Sequence, residues 1–263
     1  MRSTYVSTVP HWLRHAANQF WVAAGEVEAF PRRLEAPVSW GQPLAIFKIP
    51  RLCVADVEHR LAESGIEFKV KTPDRVLHGC LVAFAGRGIV FLDGSDPPNE
   101  LRFSLAHEVA HFIIDYVWPR ERAIERLGLP IVDVLDGYRP PTVDERIDAV
   151  LGDAPVGVHA HLMDRSPSGS LGCGRIAGVE HRADRLALEL LAPEYEVRRA
   201  FQVHRFTGQS GNLAEAGDFL TDTFGLPKSV AKEYARFLGA VGRRNDSVRN
   251  WLGIDGPARR SAR

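Results

Sequence analysis

Two histidines separated by three residues are the first feature of this sequence that could do chemistry. They belong to the run His107-Glu108-Val109-Ala110-His111. In a helix, side chains four positions apart lie one turn above each other on the same face, so both imidazoles would reach one point in space. A tetrahedral zinc ion accepts such a pair of nitrogen ligands. Glu108 would take a proton from the attacking water, so the pattern predicts a metal-dependent peptidase.

The residues around this HExxH motif predict the helix that the geometry requires. Neither glycine nor proline occurs between Asn99 and Tyr116, and apolar residues recur at helical spacing from Leu101 to Ile113. The prolines just before Asn99 supply a start signal. The alternative is a helix with two half-buried histidines that only form hydrogen bonds with neighbouring groups, and the bare motif does not exclude it.

A catalytic zinc site of this type needs a third protein ligand, and a downstream segment supplies a candidate. Residues 179–193 predict a helix. Glu180 shares a face with the small residues Ala183 and Ala187, which would let this helix approach the first one closely. Glu180 would then complete the site. Asp184, one turn further on, would accept a hydrogen bond from a ligand histidine.

The two motifs together resemble the ImmA/IrrE family of zinc metallopeptidases. The matching segments are Arg-Phe-Ser-Leu-Ala-His-Glu-Val-Ala-His at 102–111 and Glu-x-x-Ala-Asp-x-x-Ala-x-Glu-Leu-Leu-x-Pro at 180–193. The family pattern places the third zinc ligand on Glu180, and it has Asn or a similar residue at the position of Asp184. The resemblance covers roughly residues 47–197. The gap between the motifs is longer than the family usually shows, which implies an insertion.

The resemblance implies an α+β fold with a small zincin-like metallopeptidase core, in which a small β-sheet packs on the HExxH helix. We expect an N-terminal helical extension at 1–45 and the core at 46–197, with the insertion at 117–166. A C-terminal helical region with a basic tail is expected at 198–263. The resemblance also implies a protein substrate, such as a transcriptional repressor or an antitoxin.

Composition and charge argue against several other classes of protein. The 33 acidic and 33 basic side chains balance, which is not typical of a nucleic-acid-binding surface. Cys53, Cys80 and Cys173 form no CxxC pair, so neither a disulfide framework nor a cysteine zinc site is expected. No apolar run resembles a signal peptide or a membrane span. We therefore expect a cytoplasmic protein that does not bind a membrane.

The chain before the motif predicts helices and a small sheet. The prolines between 31 and 43 indicate a looped connector, and Gly79–Leu92 reads as a hairpin. An exposed edge of that hairpin would hold an extended peptide by strand addition. The other predicted elements are a helix over 11–29, a helix over 54–64 and a half-buried strand over 66–71.

Four residues are candidates for stabilising the negative charge that develops on the scissile carbonyl, and the sequence does not choose among them. His159 and His161 alternate on one side of a strand predicted at 158–163. They could instead form a second metal site, although ordinary polar histidines are the simpler interpretation, since no further ligand spacing accompanies them. Tyr116 and His204 are the other two candidates.

Two later segments leave alternatives open. The Ser/Gly-rich stretch 165–178 is either a gate over the cleft or a plain linker, and it lacks the Gly-Lys-Ser/Thr ending of a phosphate loop. Residues 213–238 have a helix–turn–helix outline. Its second helix carries Lys228, Lys232 and Arg236 against Glu233, so packing is favoured over DNA binding.

Three functions from different classes therefore remain. The first is a zinc-dependent endopeptidase with Glu108 as the catalytic base and His107, His111 and Glu180 as ligands of Zn²⁺. The second is a DNA-binding or protein-binding regulator with a structural zinc site. The third is a zinc hydrolase that acts on a non-peptide amide.

Overall fold

The computed structural model describes residues 9–25, 29–70, 73–147, 154–164, 174–203 and 213–251. Within these segments the chain is an α+β protein, as predicted, with helices around one mixed β-sheet. The strands are β1 (Leu44–Ile49), β2 (Leu77–Phe84), β3 (Arg87–Asp93) and β4 (His159–Asp164). The helices are α1 (His11–Ala24), α2 (Glu35–Gly41), α3 (Val54–Glu63), α4 (Pro98–His111), α5 (Trp118–Leu127), α6 (Val132–Leu135), α7 (Val143–Ile147), α8 (Gly174–Leu191), α9 (Glu194–Val203), α10 (Leu213–Phe224) and α11 (Lys228–Trp251).

The sheet has the strand order β1-β3-β2-β4. Strand β1 runs parallel to β3, whereas β2 runs antiparallel to both of its neighbours. The predicted hairpin is confirmed: Ala85 and Gly86 join β2 to β3, and both have positive φ, at 46° and 76°. Two central residues with positive φ make the tight turn whose twist suits a hairpin.

The edges of the sheet differ from the sequence prediction. Both strands of the hairpin lie inside the sheet, because β2 is paired with β3 and β4 while β3 is paired with β1 and β2. The expectation that Gly79–Leu92 offers an edge to a peptide is therefore wrong. Within the described part of the chain, the edge strands are β1 and β4.

Two local predictions before the motif are also wrong. Ile66–Val70 forms no regular strand, since the Val70 N–H donates to Glu58 Oε1 at 2.8 Å instead of to another strand. The proline-containing connector includes helix α2. Pro37 lies in the first turn of that helix, where a backbone N–H has no partner within the helix, so its missing N–H costs little.

The motif helix is longer than predicted. After α4 it continues through a π-helical segment, Phe112–Val117, into α5. Pro119, the second residue of α5, does not end the helix. The helix stops at Gly128, whose φ of +80° a side chain would disfavour.

Small residues bring α4 and α8 together. Ala106 and Ala110 on α4 and Ala183 and Ala187 on α8 are all fully buried, and the two helices are in contact. Without longer side chains between them, the helix axes approach closely. Helix α1 shares the same hydrophobic core, with Phe20 buried in it.

The C-terminal helices complete this core. Helices α10 and α11 pack against each other, and the Tyr234 hydroxyl donates to the Ala192 carbonyl at 3.1 Å. Helix α11 reaches Trp251, well beyond the predicted end at 238. None of the helices in the described segments combines the length and the apolarity that crossing a bilayer requires.

Candidate metal centre

The two histidines of the motif turn the same ring nitrogen toward each other. His107 Nε2 and His111 Nε2 are 3.0 Å apart. Glu180 Oε2 lies 3.3 Å from the first nitrogen and 3.7 Å from the second. The structure thus brings together the three side chains that the sequence analysis named as zinc ligands, on facing surfaces of α4 and α8.

A carboxylate holds the far side of each imidazole. Asp184 Oδ1 lies 3.0 Å from His107 Nδ1, and Asp115 Oδ2 lies 2.7 Å from His111 Nδ1. An ionised carboxylate only accepts hydrogen bonds, so each Nδ1 carries the proton and each Nε2 presents its lone pair. Asp115 also contacts Arg182, at 3.4 Å.

This arrangement fits a divalent metal ion. Two lone pairs that face each other at 3.0 Å beside a carboxylate oxygen repel unless a cation lies among them. Two imidazole nitrogens and a carboxylate oxygen are also the ligand set of a catalytic zinc site. The donor chemistry therefore agrees with the ion that the motif predicts.

In the metal-free protein, protons take the place of that cation. Burial lowers the pKa of His107, but hydrogen bonds with Asp184 and Glu180 outweigh it and raise the pKa to about 9. Burial raises the pKa of Glu180, yet hydrogen bonds with His107, His111 and His161 hold it far below its usual range. A proton and a metal ion would thus compete for the same nitrogens.

A fourth side chain, which the sequence analysis did not place in the centre, also belongs to it. His161 on β4 has a ring nitrogen within 4.8 Å of the other candidate ligand atoms. Its Nε2 lies 3.1 Å from Glu180 Oε1, and its Nδ1 lies 2.9 Å from Glu108 Oε2. Its ring stacks on the ring of His111 with centroids 3.6 Å apart. His161 joins the predicted centre instead of forming a second one with His159.

Glu108 has one engaged and one free carboxylate oxygen. The side chain is fully buried, and its Oε1 has no hydrogen-bond partner. Burial raises its pKa, but the charge and hydrogen bond of His161 lower it below the ordinary value. Gly79 leaves the space in front of this oxygen, since a Cβ there would lie 3.2 Å from Oε1. Glu108 is therefore an ionised carboxylate whose Oε1 has no hydrogen-bond donor among the described residues.

Of the other candidates for oxyanion stabilisation, Tyr116 and His159 form no hydrogen bond with the ligand side chains of the centre in the described structure. Tyr116 is buried, and its hydroxyl accepts a hydrogen bond from the Gly86 N–H at 2.8 Å, so it is committed to the hairpin turn. The His159 ring lies against Tyr116, with centroids 6.2 Å apart, and burial lowers its pKa. His204 lies outside the described residues. His161 is thus the one of the four candidates that the described structure places beside Glu108 and Glu180.

Helix α8 begins at Gly174, inside the stretch that was predicted as a loop at 165–178. Residues 165–173 lie outside the described segments, as does most of the stretch considered for a gate. The helix thus starts about six residues before Glu180, roughly 9 Å at 1.5 Å per residue.

Comparisons with known proteins add no identification. The sequence matches no protein-family model, and it matches no curated protein. The resemblance to the ImmA/IrrE family therefore stays a prediction. The functional assignment depends on the geometry of His107, His111, His161 and Glu180.

Proposed function

We propose that the protein is a zinc-dependent endopeptidase of the ImmA/IrrE kind, which cleaves a regulatory protein such as a repressor or an antitoxin in the cytoplasm. The observation that carries the proposal is the convergence of His107 Nε2, His111 Nε2 and Glu180 Oε2. Zinc held by these atoms would supply a Lewis acid for the scissile carbonyl.

Side chains around the metal would carry out proton transfer, stabilisation of the oxyanion and orientation of the ligands. Glu108 Oε1 takes the proton of the attacking water and passes it to the leaving amine. His161 keeps its Nδ1 on Glu108, and its Nε2–H, which contacts Glu180 Oε1 in the structure, would turn to the oxygen that becomes negatively charged as the carbonyl is attacked. Asp115 and Asp184 keep the two histidines of the motif in the tautomer and orientation seen in the structure.

The substrate would bind along strand β4. Among the described residues this strand is paired with β2 alone, and it carries His161 beside Glu108. An extended peptide that adds to its free edge would bring a backbone carbonyl to the centre. Strand addition at β4 replaces the hairpin edge expected from the sequence.

One observation favours a second candidate function. With His161, four protein side chains lie within ligand distance of one another. A zinc ion with four protein ligands is typically structural, because no position is left for water or substrate. On that arrangement the protein would be a regulator that needs zinc only to fold.

Hydrolysis by the purified protein tests the proposal. The zinc-loaded chain is incubated with a peptide library, and new termini are identified by mass spectrometry. We expect cleavage that a chelator abolishes and that Glu108→Gln lowers by about 100- to 10,000-fold while zinc stays stoichiometric. Cleavage that survives Glu108→Gln would show that the base is another group.

Replacement of His161 separates the two candidate functions. If His161 donates to the substrate, His161→Ala keeps zinc and lowers kcat by roughly 100- to 1,000-fold. If His161 is a structural ligand, the same change weakens zinc binding, and the unaltered protein cleaves nothing in the library. His159→Ala is the matched control, since His159 lies two residues earlier on the same strand without a contact to Glu108.

A further inference from the structure

Strand β4 divides its side chains between the two faces of the sheet. Ala160 and Leu162 pack against the hydrophobic cluster that includes α3, whereas Met163 packs against the cluster that includes α4. His161 belongs to the metal centre on α4 and α8. Because side chains two positions apart in a strand lie on one face, His161 and Met163 are neighbours on the face that holds the centre.

The carboxylate of Glu108 connects the positions of these two side chains. Glu108 Oε2 lies 2.9 Å from His161 Nδ1. Gly79 on β2 is directly opposite Met163, and a Cβ on Gly79 would lie 3.2 Å from Glu108 Oε1. One oxygen of the carboxylate thus contacts His161, and the other lies beside the strand pair that contains Met163. Met163 is therefore the next residue along β4 on the side of Glu108.

The side chains of β4 are accessible, unlike most of those on the strand beside it. Every residue from His159 to Met163 is partly exposed, whereas most residues of β2 are buried. Directly opposed residues of two paired strands share a face of the sheet. A peptide that adds to the free edge of β4 would therefore place the side chain opposite Met163 on the face of the metal centre, in contact with Met163.

The chemistry of this position favours an apolar side chain. The methionine side chain is unbranched and polarizable, so it packs against apolar groups of different shapes. A carboxylate in the substrate would be repelled by the carboxylate of Glu108, which lies beside the opposing residue Gly79. A charged side chain would also have to leave water in order to pack against Met163.

We propose that Met163 determines the specificity of the candidate peptidase by selecting an apolar side chain of the substrate. This inference rests on the proposed function and adds a sequence requirement to it. The selected residue lies opposite Met163, two positions from the residue opposite His161. Because His161 belongs to the metal centre, the apolar residue lies within about three positions of the scissile bond.

A charge placed at residue 163 tests the proposal. Cleavage products of a peptide library are aligned on the cleaved bond for the zinc-loaded protein and for zinc-loaded Met163→Lys. The unaltered protein should show one apolar position within about three residues of that bond. At this position Met163→Lys should favour Glu, so that the ratio of kcat/KM for matched Leu and Glu peptides falls by about 10-fold or more. Cleavage with an unchanged ratio would overturn the proposal and leave the peptidase function standing.

Two further variants control for charge and for folding. Val22→Lys adds the same charge at an exposed position on α1 and should leave the ratio unchanged. An equal fall in Val22→Lys would refute a specific role of Met163. Met163→Gln keeps the unbranched chain and is used if Met163→Lys does not fold. It should lower the preference for Leu by roughly 3- to 10-fold with zinc retained, and an unchanged preference would contradict the proposal.

A binding measurement separates this inference from the peptidase function. Zinc-loaded Glu108→Gln and the double variant Glu108→Gln/Met163→Lys each select binders from a display library of peptides. The single variant should enrich one apolar position, and the double variant should enrich Glu there instead. The same enrichment by both would overturn the subsite. This readout requires no cleavage, so a protein that hydrolyses nothing but shows the exchange would lose the peptidase function and keep the subsite.

Discussion

The two ends of helix α8 differ in how their polar groups are arranged. Near Glu180, three imidazoles and several carboxylates converge, and the lone pairs that meet there call for a cation. Near Glu189, Trp21 Nε1 and Arg32 Nε are buried without a hydrogen-bond partner among the described residues, and neither atom is accessible to a ligand. The difference teaches that a candidate site is identified by several ligand atoms that converge on one point, and not by single polar groups that lack a partner.

The largest effect is expected when a glutamate is replaced at one end of α8 and not at the other, because only Glu180 is a candidate metal ligand. Glu180→Gln removes a candidate ligand, so the dissociation constant for zinc should rise by more than about 100-fold. Glu189→Gln, the matched control on the same helix, should keep stoichiometric zinc. Metal analysis of the two purified proteins decides the matter, and equal zinc contents would remove Glu180 from the ligand set.

The metal-free protein should lose stability as the pH rises. The pKa of His107 is raised from 6.5 to about 9 and that of His161 to about 10, so their protonation favours the folded state fully below pH 6.5. That contribution, roughly 3 kcal/mol for His107 and roughly 5 kcal/mol for His161 from the linkage relation, is lost between pH 6.5 and 10.

Urea unfolding of the metal-free and the zinc-loaded protein checks this pH dependence. The zinc-loaded protein should not show the same loss, because metal binding requires the unprotonated imidazole. The metal-free variant His107→Gln should show a smaller loss than the metal-free parent. Identical pH profiles for all three proteins would mean that the protons are not held as the structure indicates.

A smaller effect is expected from the carboxylates behind the histidines. Asp184→Asn weakens the hydrogen bond to His107 Nδ1, so zinc affinity should fall by about 10- to 100-fold. Asp222→Asn, an exposed change on α10, is the control. A competition titration with a chelating dye measures both, and an unchanged affinity in Asp184→Asn would show that Asp184 does not orient the ligand.

The smallest effect on activity is expected from a side chain added beside Glu108. In Gly79→Ala the new Cβ would lie 3.2 Å from Glu108 Oε1 and displace it by a few tenths of an ångström. We expect kcat/KM to fall roughly 10-fold with zinc retained. Gly239→Ala, where nothing lies within 4 Å of the added Cβ, should leave the rate unchanged. Full activity in Gly79→Ala would mean that Oε1 is not the acceptor.

The sequence was sufficient to predict those residues of the metal centre whose positions follow from helix geometry. The spacing of His107 and His111 puts both on one helical face, and small residues on α8 predict the close approach that carries Glu180 to them. His161 could be named only as one of four candidates for oxyanion stabilisation, because its position depends on which strand pairs with β2, and residue spacing does not encode that long-range property.

Two other features could not be predicted from the sequence, because they too depend on contacts between residues far apart in the chain. A pocket at Glu189 joins α1, Arg32 and α8, which are far apart in the chain and carry no motif. The alternation over 66–71 resembled a strand, but the Glu58 carboxylate satisfies the backbone there instead. A sequence pattern reports the conformation that a segment prefers locally, and contacts with distant parts of the chain decide whether the segment adopts it.

The π-helical segment Phe112–Val117 fixes the length of the chain beside the metal centre. Removing one residue from a helix turns everything after it by about 100° around the axis. Asp115, which holds His111, and Tyr116, which holds the hairpin turn, both lie in this segment and on different sides. A single deletion among residues 112–114 would therefore rotate both side chains away from their partners, so the spacing between His111 and Tyr116 is fixed from both sides of the helix.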